Sequence, residues 1–427
     1  MSNLKPAAAL LAVAALLTYG GVQVSASPEV PGAPQGKPIA LVGGTVHTVS
    51  GEEIQSGTIV FADGKIVALG TDVEVPDDAE QIDVSGKHVY PGLIESYSNI
   101  GLTEIESVRA TRDERETGSI NPNVTARVAV NPDSELIPVA RSNGILVALT
   151  VPSGGTVSGK SSLMMLDGWT WEEMTLRSPI AMHVSLGSDS QRESVKEALE
   201  DARAYHKARA ATSEDPARHP FDSRWEALGP VLDGELPIIV DAESVEDIQT
   251  AVAFANQEDL KLIIYGGYSA PDCAELLKKH SVPVIVGGVH RLPRRRSSPY
   301  DEPFRVAARL HEAGVTFCIS ASGRFGASDV RNMPYHVATA AAFGLPQDAA
   351  VKSMTLYPAQ IFGVADRVGS LEAGKDATLF VSDGPVLDIP SHVERAYIQG
   401  REVDLSDRHK RLWEKYKERY QRLGIEN

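Results

Sequence analysis

From Pro91 to Phe362 the chain alternates strand-length apolar runs with amphipathic helical runs, and this alternation limits its fold more than any other feature. The apolar runs lie at 144–151, 180–186, 237–241, 261–265, 282–286 and 315–320. Helical patterning predicts helices over 191–211, 244–256, 270–280, 303–313, 335–343 and 346–354. Strands alternating with amphipathic helices make βαβ units and a parallel sheet. Over about 270 residues the closed form of such a sheet is a (β/α)8 barrel, so an α/β protein built on a TIM barrel is predicted.

The flanks carry a different pattern. Short alternating segments occupy 39–42, 45–49, 58–62 and 65–69, and Asp63-Gly64 between the last two favours a tight hairpin because both positions tolerate positive φ. So few short strands cannot close a core alone. Their expected partners lie far away, at 377–382 and 395–398. A small composite domain is therefore predicted from 38–90 and 363–404, around a barrel at 91–362. The remaining 405–427 reads as a charged helix with Leu412, Trp413, Tyr416, Tyr420 and Leu423 on one stripe. It is expected to dock on its own domain, with a partner-binding helix as the alternative.

The first residues carry one Lys, then an Ala/Leu/Val run from Pro6 to Leu17, then Val24-Ser25-Ala26. This order predicts a signal peptide over 1–26, cleaved after Ala26, and a linker at 27–37 rich in Pro and Gly. The rival is an uncleaved anchor, but its apolar core is short against the about 20 residues a span needs. A periplasmic or extracellular location is expected. Cys273 and Cys318 are expected to be buried free thiols, and without a Cys-x-x-Cys no structural zinc is signalled. The formal charge of −16, from 41 basic and 57 acidic residues, argues against nucleic acid and against an anionic membrane surface.

Four motifs carry a resemblance. They are Pro91-Gly92-Leu93-Ile94-Glu95-Ser96-Tyr97-Ser98-Asn99, Ser353-Met354-Thr355-Leu356-Tyr357-Pro358-Ala359, Gly369-Ser370-Leu371-Glu372-Ala373-Gly374-Lys375-Asp376-Ala377 and Tyr397-Ile398-Gln399-Gly400-Arg401-Glu402-Val403. Together they resemble the amidohydrolase superfamily, in the manner of imidazolonepropionases and dihydroorotases, over nearly all of the chain after the leader. The resemblance implies a barrel with a small β-sandwich composed from both chain ends. It also implies hydrolysis of non-peptide C–N bonds, in an amide or cyclic amide, by water activated on one or two divalent metals such as zinc. The implied ligands are a His pair on the first strand, a Lys or Glu on the fourth and single His residues on the fifth and sixth. An Asp on the eighth strand takes the proton.

This chain departs from that list. Tyr97 and Asn99 stand where the His pair is expected, Asp241 takes the fifth-strand position, Gly266 the sixth and Ser322 the place of the Asp, while His183 lies near the fourth-strand position. Tyr and Asn are poor zinc ligands and Gly offers no side chain. A rebuilt site would have His183, Asp241, Glu243 and His290 as its candidates, and catalytic zinc usually needs three protein ligands. The blander readings are a solvated His290 and a Glu243 that caps the helix starting near Ser244. Tyr97, Asn99, Tyr265 and Gly266 are candidates for lining a binding pocket.

Two further motifs bear on function. Gly154-Gly155-Thr156-Val157-Ser158-Gly159-Lys160-Ser161 satisfies the phosphate-loop pattern, with Lys160 as the candidate phosphate ligand. That motif requires a helix after Lys160, yet Ser162-Leu163-Met164-Met165-Leu166-Asp167-Gly168-Trp169 reads as a short strand and a turn. Arg291-Leu292-Pro293-Arg294-Arg295-Arg296 is a basic loop, in which Arg294 and Arg295 are candidates for recognising a carboxylate or phosphate; the alternative is a solvated loop or an intersubunit ion pair. No G-x-S-x-G elbow supports a serine hydrolase. Three functions stay open. One is a divergent hydrolase with a rebuilt or borrowed metal site. Another is a non-catalytic barrel that binds a small ligand, or that supports a second copy or an intact paralogous subunit. The third is a nucleotide-binding enzyme.

Overall fold

The computed structural model describes residues 29–211, 220–321 and 326–425. The expected leader and its cleavage point, and Ser322, lie outside the described residues. Eight barrel strands are labelled β1 (Leu93–Ser98), β2 (Ile145–Thr150), β3 (Val157–Lys160, continued past Ser161 by Ser162–Met165), β4 (Met182–Val184), β5 (Ile238–Ala242), β6 (Leu262–Gly266), β7 (Val284–Val286) and β8 (Phe317–Ile319). Each apolar run of the sequence became a strand whose ends lie within two residues of those expected. All six residues of β2 are buried, as parallel strands covered on both faces require.

The barrel departs from eight parallel strands at β3. Strands β4 to β8 form a parallel ladder in sequence order, and β1 pairs parallel with β2. Strand β3 runs against both neighbours, with its first part on β4 and its continuation on β2. The cause is local. Gly154 and Gly155 both take positive φ (83° and 72°), so the chain turns back directly from the end of β2. A parallel connection would need a crossover of a dozen or more residues, whereas a tight turn gives an antiparallel neighbour. The segment at 120–125 extends this wall, bridging Ile120 to Val157 and Thr125 to Lys160.

Among the described residues no backbone ladder joins β1 and β8, the two ends of the barrel sheet. A buried carboxylate closes the seam: Glu95 on β1 accepts from Ala321 N at 3.0 Å and from the Ser320 hydroxyl, both just past β8. Its Oε1 also accepts from Tyr97 N at 3.0 Å.

Strands from both chain ends join in one eight-stranded mixed sheet beside the barrel. Ile39–Val46 is a single bulged strand where two were expected. The irregularity falls at Gly44, between Val42 and Val46. Asp63 (φ 50°) and Gly64 (φ 77°) form the expected tight turn between Ile54–Ala62 and Lys65–Gly70. The distant partners are Leu379–Ser382, on His88–Pro91, and Val393–Ile398. Buried Asp376 fastens this return through Lys65 at 2.5 Å and Arg367 at 2.7 Å.

The described part of the 27–37 linker is strapped down. Gly32 N donates to Asp167, Gln35 Nε2 donates to Phe61 O at 2.8 Å, and Gly64 N donates to Gln35 Oε1 at 3.0 Å. The C-terminal helix, Arg408–Arg422, is not docked as expected: it buries no residue. Its stripe lies open to solvent. Cys273 and Cys318 are both buried and unpaired. No helix among the described residues is long and apolar enough to cross a membrane.

Candidate functional site at the barrel mouth

The C-terminal ends of the strands bring Tyr97, His183, Asp241 and Tyr265 together. Asp241 and Tyr265 are register partners on neighbouring β5 and β6, so their side chains leave the sheet on the same face. Tyr97 reaches across from β1 and stacks flat on Tyr265, with ring centroids 3.5 Å apart and planes 5° from parallel. The two rings span the barrel interior. His183 on β4 sits beside the stack, 5.7 Å from the Tyr97 ring.

Burial sets the electrostatics here. It holds the His183 imidazole neutral, with its pKa pushed down to about 3. It raises the Tyr97 phenol well above its ordinary value, with Tyr265 and Asp241 adding to the shift. Asp241 keeps a solvent-exposed edge but lies low among protein atoms. That desolvation, and then the charge of Glu243, raise its carboxyl to about 6. His183 Nε2 is buried and has no hydrogen-bond partner.

The Arg loop joins this mouth through Glu243. Arg291 Nη1 donates to Glu243 Oε1 at 2.8 Å, and Arg294 Nη1 lies 3.8 Å from Oε2. Tyr268 N also donates to Glu243, and the Arg291 guanidinium lies 4.8 Å from the centroid of the Tyr268 ring. Glu243 therefore does not cap the following helix. Ser244 does, in a capping box with Asp247. Arg295 and Arg296 are exposed.

The other candidates lie apart. Asn99 Nδ2 is turned to Glu114 Oε2 at 2.7 Å and to Thr103 Oγ1 at 3.0 Å. His290 Nε2 is 2.8 Å from Thr339 Oγ1, and its ring stacks on His336 at 4.1 Å, so it is not simply solvated. Gly266, with φ 92°, serves the close approach of Glu243: a side chain there would stand 3.0 Å from the Glu243 carboxyl carbon. Lys160 lies within β3, its N bonded to Val124 O at 2.9 Å, and the strand Ser162–Met165 follows in place of a helix. The amide cradle of a phosphate loop is therefore not formed. Ser322 lies outside the described residues.

Among the described residues no three His, Cys, Asp or Glu side chains come together to hold a metal ion. His183 and Asp241 share the mouth, but Glu243 is committed to Arg291 and His290 to Thr339 and His336. The described donor set does not fit a catalytic zinc, which needs three ligands. Sequence reasoning missed Glu95. The one signal was a Glu in a strand whose other residues are small or apolar. The Glu243–Arg291 pair had no sequence signal at all, because 48 residues separate its members.

Comparison with known proteins places the chain. Residues 114–406 match the profile of the amidohydrolase family. The sequence is 23% identical over 392 residues to amidohydrolase tasK of Hapsidospora irregularis, covering 81% of this chain and 39% of that protein. It is 25% identical to an imidazolonepropionase of Mesorhizobium japonicum, covering 84% of this chain and 92% of that one. The solved structure of an amidohydrolase from Thermotoga maritima superposes with a TM-score of 0.78 at 26% identity, covering 86% of this chain and 99% of that one. This chain belongs to the amidohydrolase family, whose chemistry is hydrolysis of C–N bonds, and it has that family's TIM barrel.

Proposed function

We propose that this protein is an exported amidohydrolase-fold barrel that binds a small molecule at its mouth without the metal-assisted hydrolysis of its relatives. The observation that carries this reading is the Tyr97–Tyr265 stack. Two phenol rings in flat contact occupy the space beside β1 where the resemblance expects metal ligands. Hydrolytic rate enhancement needs a device that stabilises developing charge, and the described donor set builds none. An aromatic floor, a neutral imidazole and a carboxyl raised to about 6 suit a ligand with an aromatic or amide plane. The mixed sheet is then the family's composite β-sandwich, and its place is to support the barrel. A supporting role toward a paralogous hydrolase subunit belongs to the same reading.

A second reading keeps hydrolysis, with remaining ligands borrowed from a partner. One observation favours it: the buried, unpartnered His183 Nε2 near the Tyr97 ring at the mouth. Elemental analysis of protein purified without chelator and re-supplied with zinc separates the two. We expect less than stoichiometric metal, and no turnover in a screen of amides and cyclic amides. Stoichiometric zinc that His183→Ala removes, together with turnover, would establish the second reading and overturn the first.

A further inference from the structure

We infer that the C-terminal helix Arg408–Arg422 is a docking element for an anionic membrane surface. Its five apolar side chains, Leu412, Trp413, Tyr416, Tyr420 and Leu423, are between 39% and 60% exposed. Among the described residues the side-chain ties from this helix to the rest of the chain are in its first turn, Arg411 to Glu135 at 3.1 Å and Arg331 to His409 at 3.1 Å. Asp407 caps it, accepting from His409 N and Lys410 N. The helix is thus held at its root, while among the described residues its apolar stripe stays largely open and none of it is buried.

Charge arrangement names the occupant. The helix carries seven Lys and Arg against two Glu, a net charge of +5 in a chain of −16. At about 100° per residue the five apolar side chains fill an arc of about 100°. Arg408, Lys415 and Arg419 border one side of that arc, and Lys410 and Lys417 border the other. Glu414 and Glu418 fall on the opposite pole. A helix lying in a bilayer interface needs this order: apolar stripe down, basic side chains level with the headgroups, acidic ones away from the lipid. Trp and Tyr suit that depth because each has an apolar ring and a polar edge. The aliphatic stems of Lys and Arg can lie along the apolar boundary while their charges reach phosphate. The overall charge conceals this local excess.

Placement agrees. The buried Arg141 guanidinium pairs with Glu29 and donates from Nε to Asp404 O at 2.9 Å, three residues before the cap. Arg141 ends the helix that leads into the base of β2, the barrel end away from the mouth. Glu29, the first residue after the N-terminal 28, and the root of the basic helix therefore share one end of the barrel. A membrane met there leaves the mouth facing solution.

The test mixes full-length protein with vesicles of phosphatidylcholine, alone or with roughly one-third phosphatidylglycerol, in a sedimentation assay. Binding to the anionic vesicles that weakens with salt is expected. Each Lys removed should weaken it about 5-fold, so the double variant Lys415→Gln, Lys417→Gln should bind about 30-fold more weakly. Trp413→Ala with Tyr420→Ala should weaken it about tenfold or more. None of these side chains is buried, so the variants should melt with the parent. Helix variants that bind as well as the parent would overturn the inference and assign binding to another segment. Equal binding to neutral vesicles, or none to either kind, would also overturn it. So would light scattering that shows a dimer which Trp413→Ala converts to monomer, because a second copy would then cover the stripe.

Discussion

Replacing Glu95 with Gln should change how stability depends on pH. Glu95 is fully buried, and burial pushes its carboxyl from 4.5 to about 7, against the opposing hydrogen bonds from Ser320, Ala321, Tyr97 and Ser96. The folded protein therefore binds this proton more tightly than the unfolded chain. Stability from this group is fully present below about pH 4.5 and is lost as pH rises through about 7. Linkage over a shift from 4.5 to about 7 amounts to about 2.5 kcal/mol lost between about pH 5 and pH 8. Gln does not titrate, so the stability difference between parent and Glu95→Gln isolates this one group. At low pH the parent should be the more stable, since protonated Glu95 can still accept from Tyr97 N and Ala321 N. By pH 8 that advantage should have shrunk by about 2.5 kcal/mol. Urea unfolding of both proteins at steps across this range reads the difference directly. A difference that stays flat to within about 0.5 kcal/mol would refute the reasoning, because Glu95 would then be ionised in the fold throughout.

Arg141→Ala should destabilise the protein by about 3–5 kcal/mol, because it strips buried Asp167 of a partner and frees Glu29 and Asp404 O. Urea unfolding measures this, and a loss under about 1 kcal/mol would show that Arg401 alone satisfies Asp167. Changing Arg294 and Arg295 to Ala should weaken a carboxylate-bearing amide by about tenfold and leave its neutral analogue unaffected. Calorimetric titration of the two analogues decides it, and an equal loss for both would mean that the loop shapes the mouth without selecting charge.

Local rules carried far in this chain. Glycine and aspartate at a hairpin, apolar runs of strand length and the spacing of helical stripes depend only on neighbours along the chain. Six barrel strands, the Asp63-Gly64 turn and the distant return at 379–398 were legible for that reason. Tyr97 and Asn99 at the positions where the resemblance expects His were legible too, since residue identity needs no coordinates. The reversal of β3 was partly written in Gly154-Gly155, which the phosphate-loop pattern also spans; the ladders on β2 and β4 tell the two apart.

Residue types by themselves pointed to an α/β barrel, a composite flanking sheet and a first strand with Tyr97 and Asn99 where the resemblance expects a His pair. Tertiary structure decided what the odd residues do instead. Tyr97 meets Tyr265 because β1 and β6 face each other across a closed barrel, 168 positions apart in sequence. Glu95 has meaning only where β1 and β8 close a seam that, among the described residues, no backbone ladder bridges. The stripe on the last helix has the same periodicity whether it docks or stands free, so only the packed body could show that it is left uncovered. Such choices rest on contacts between residues distant in the chain, and a linear pattern does not encode which surfaces will meet.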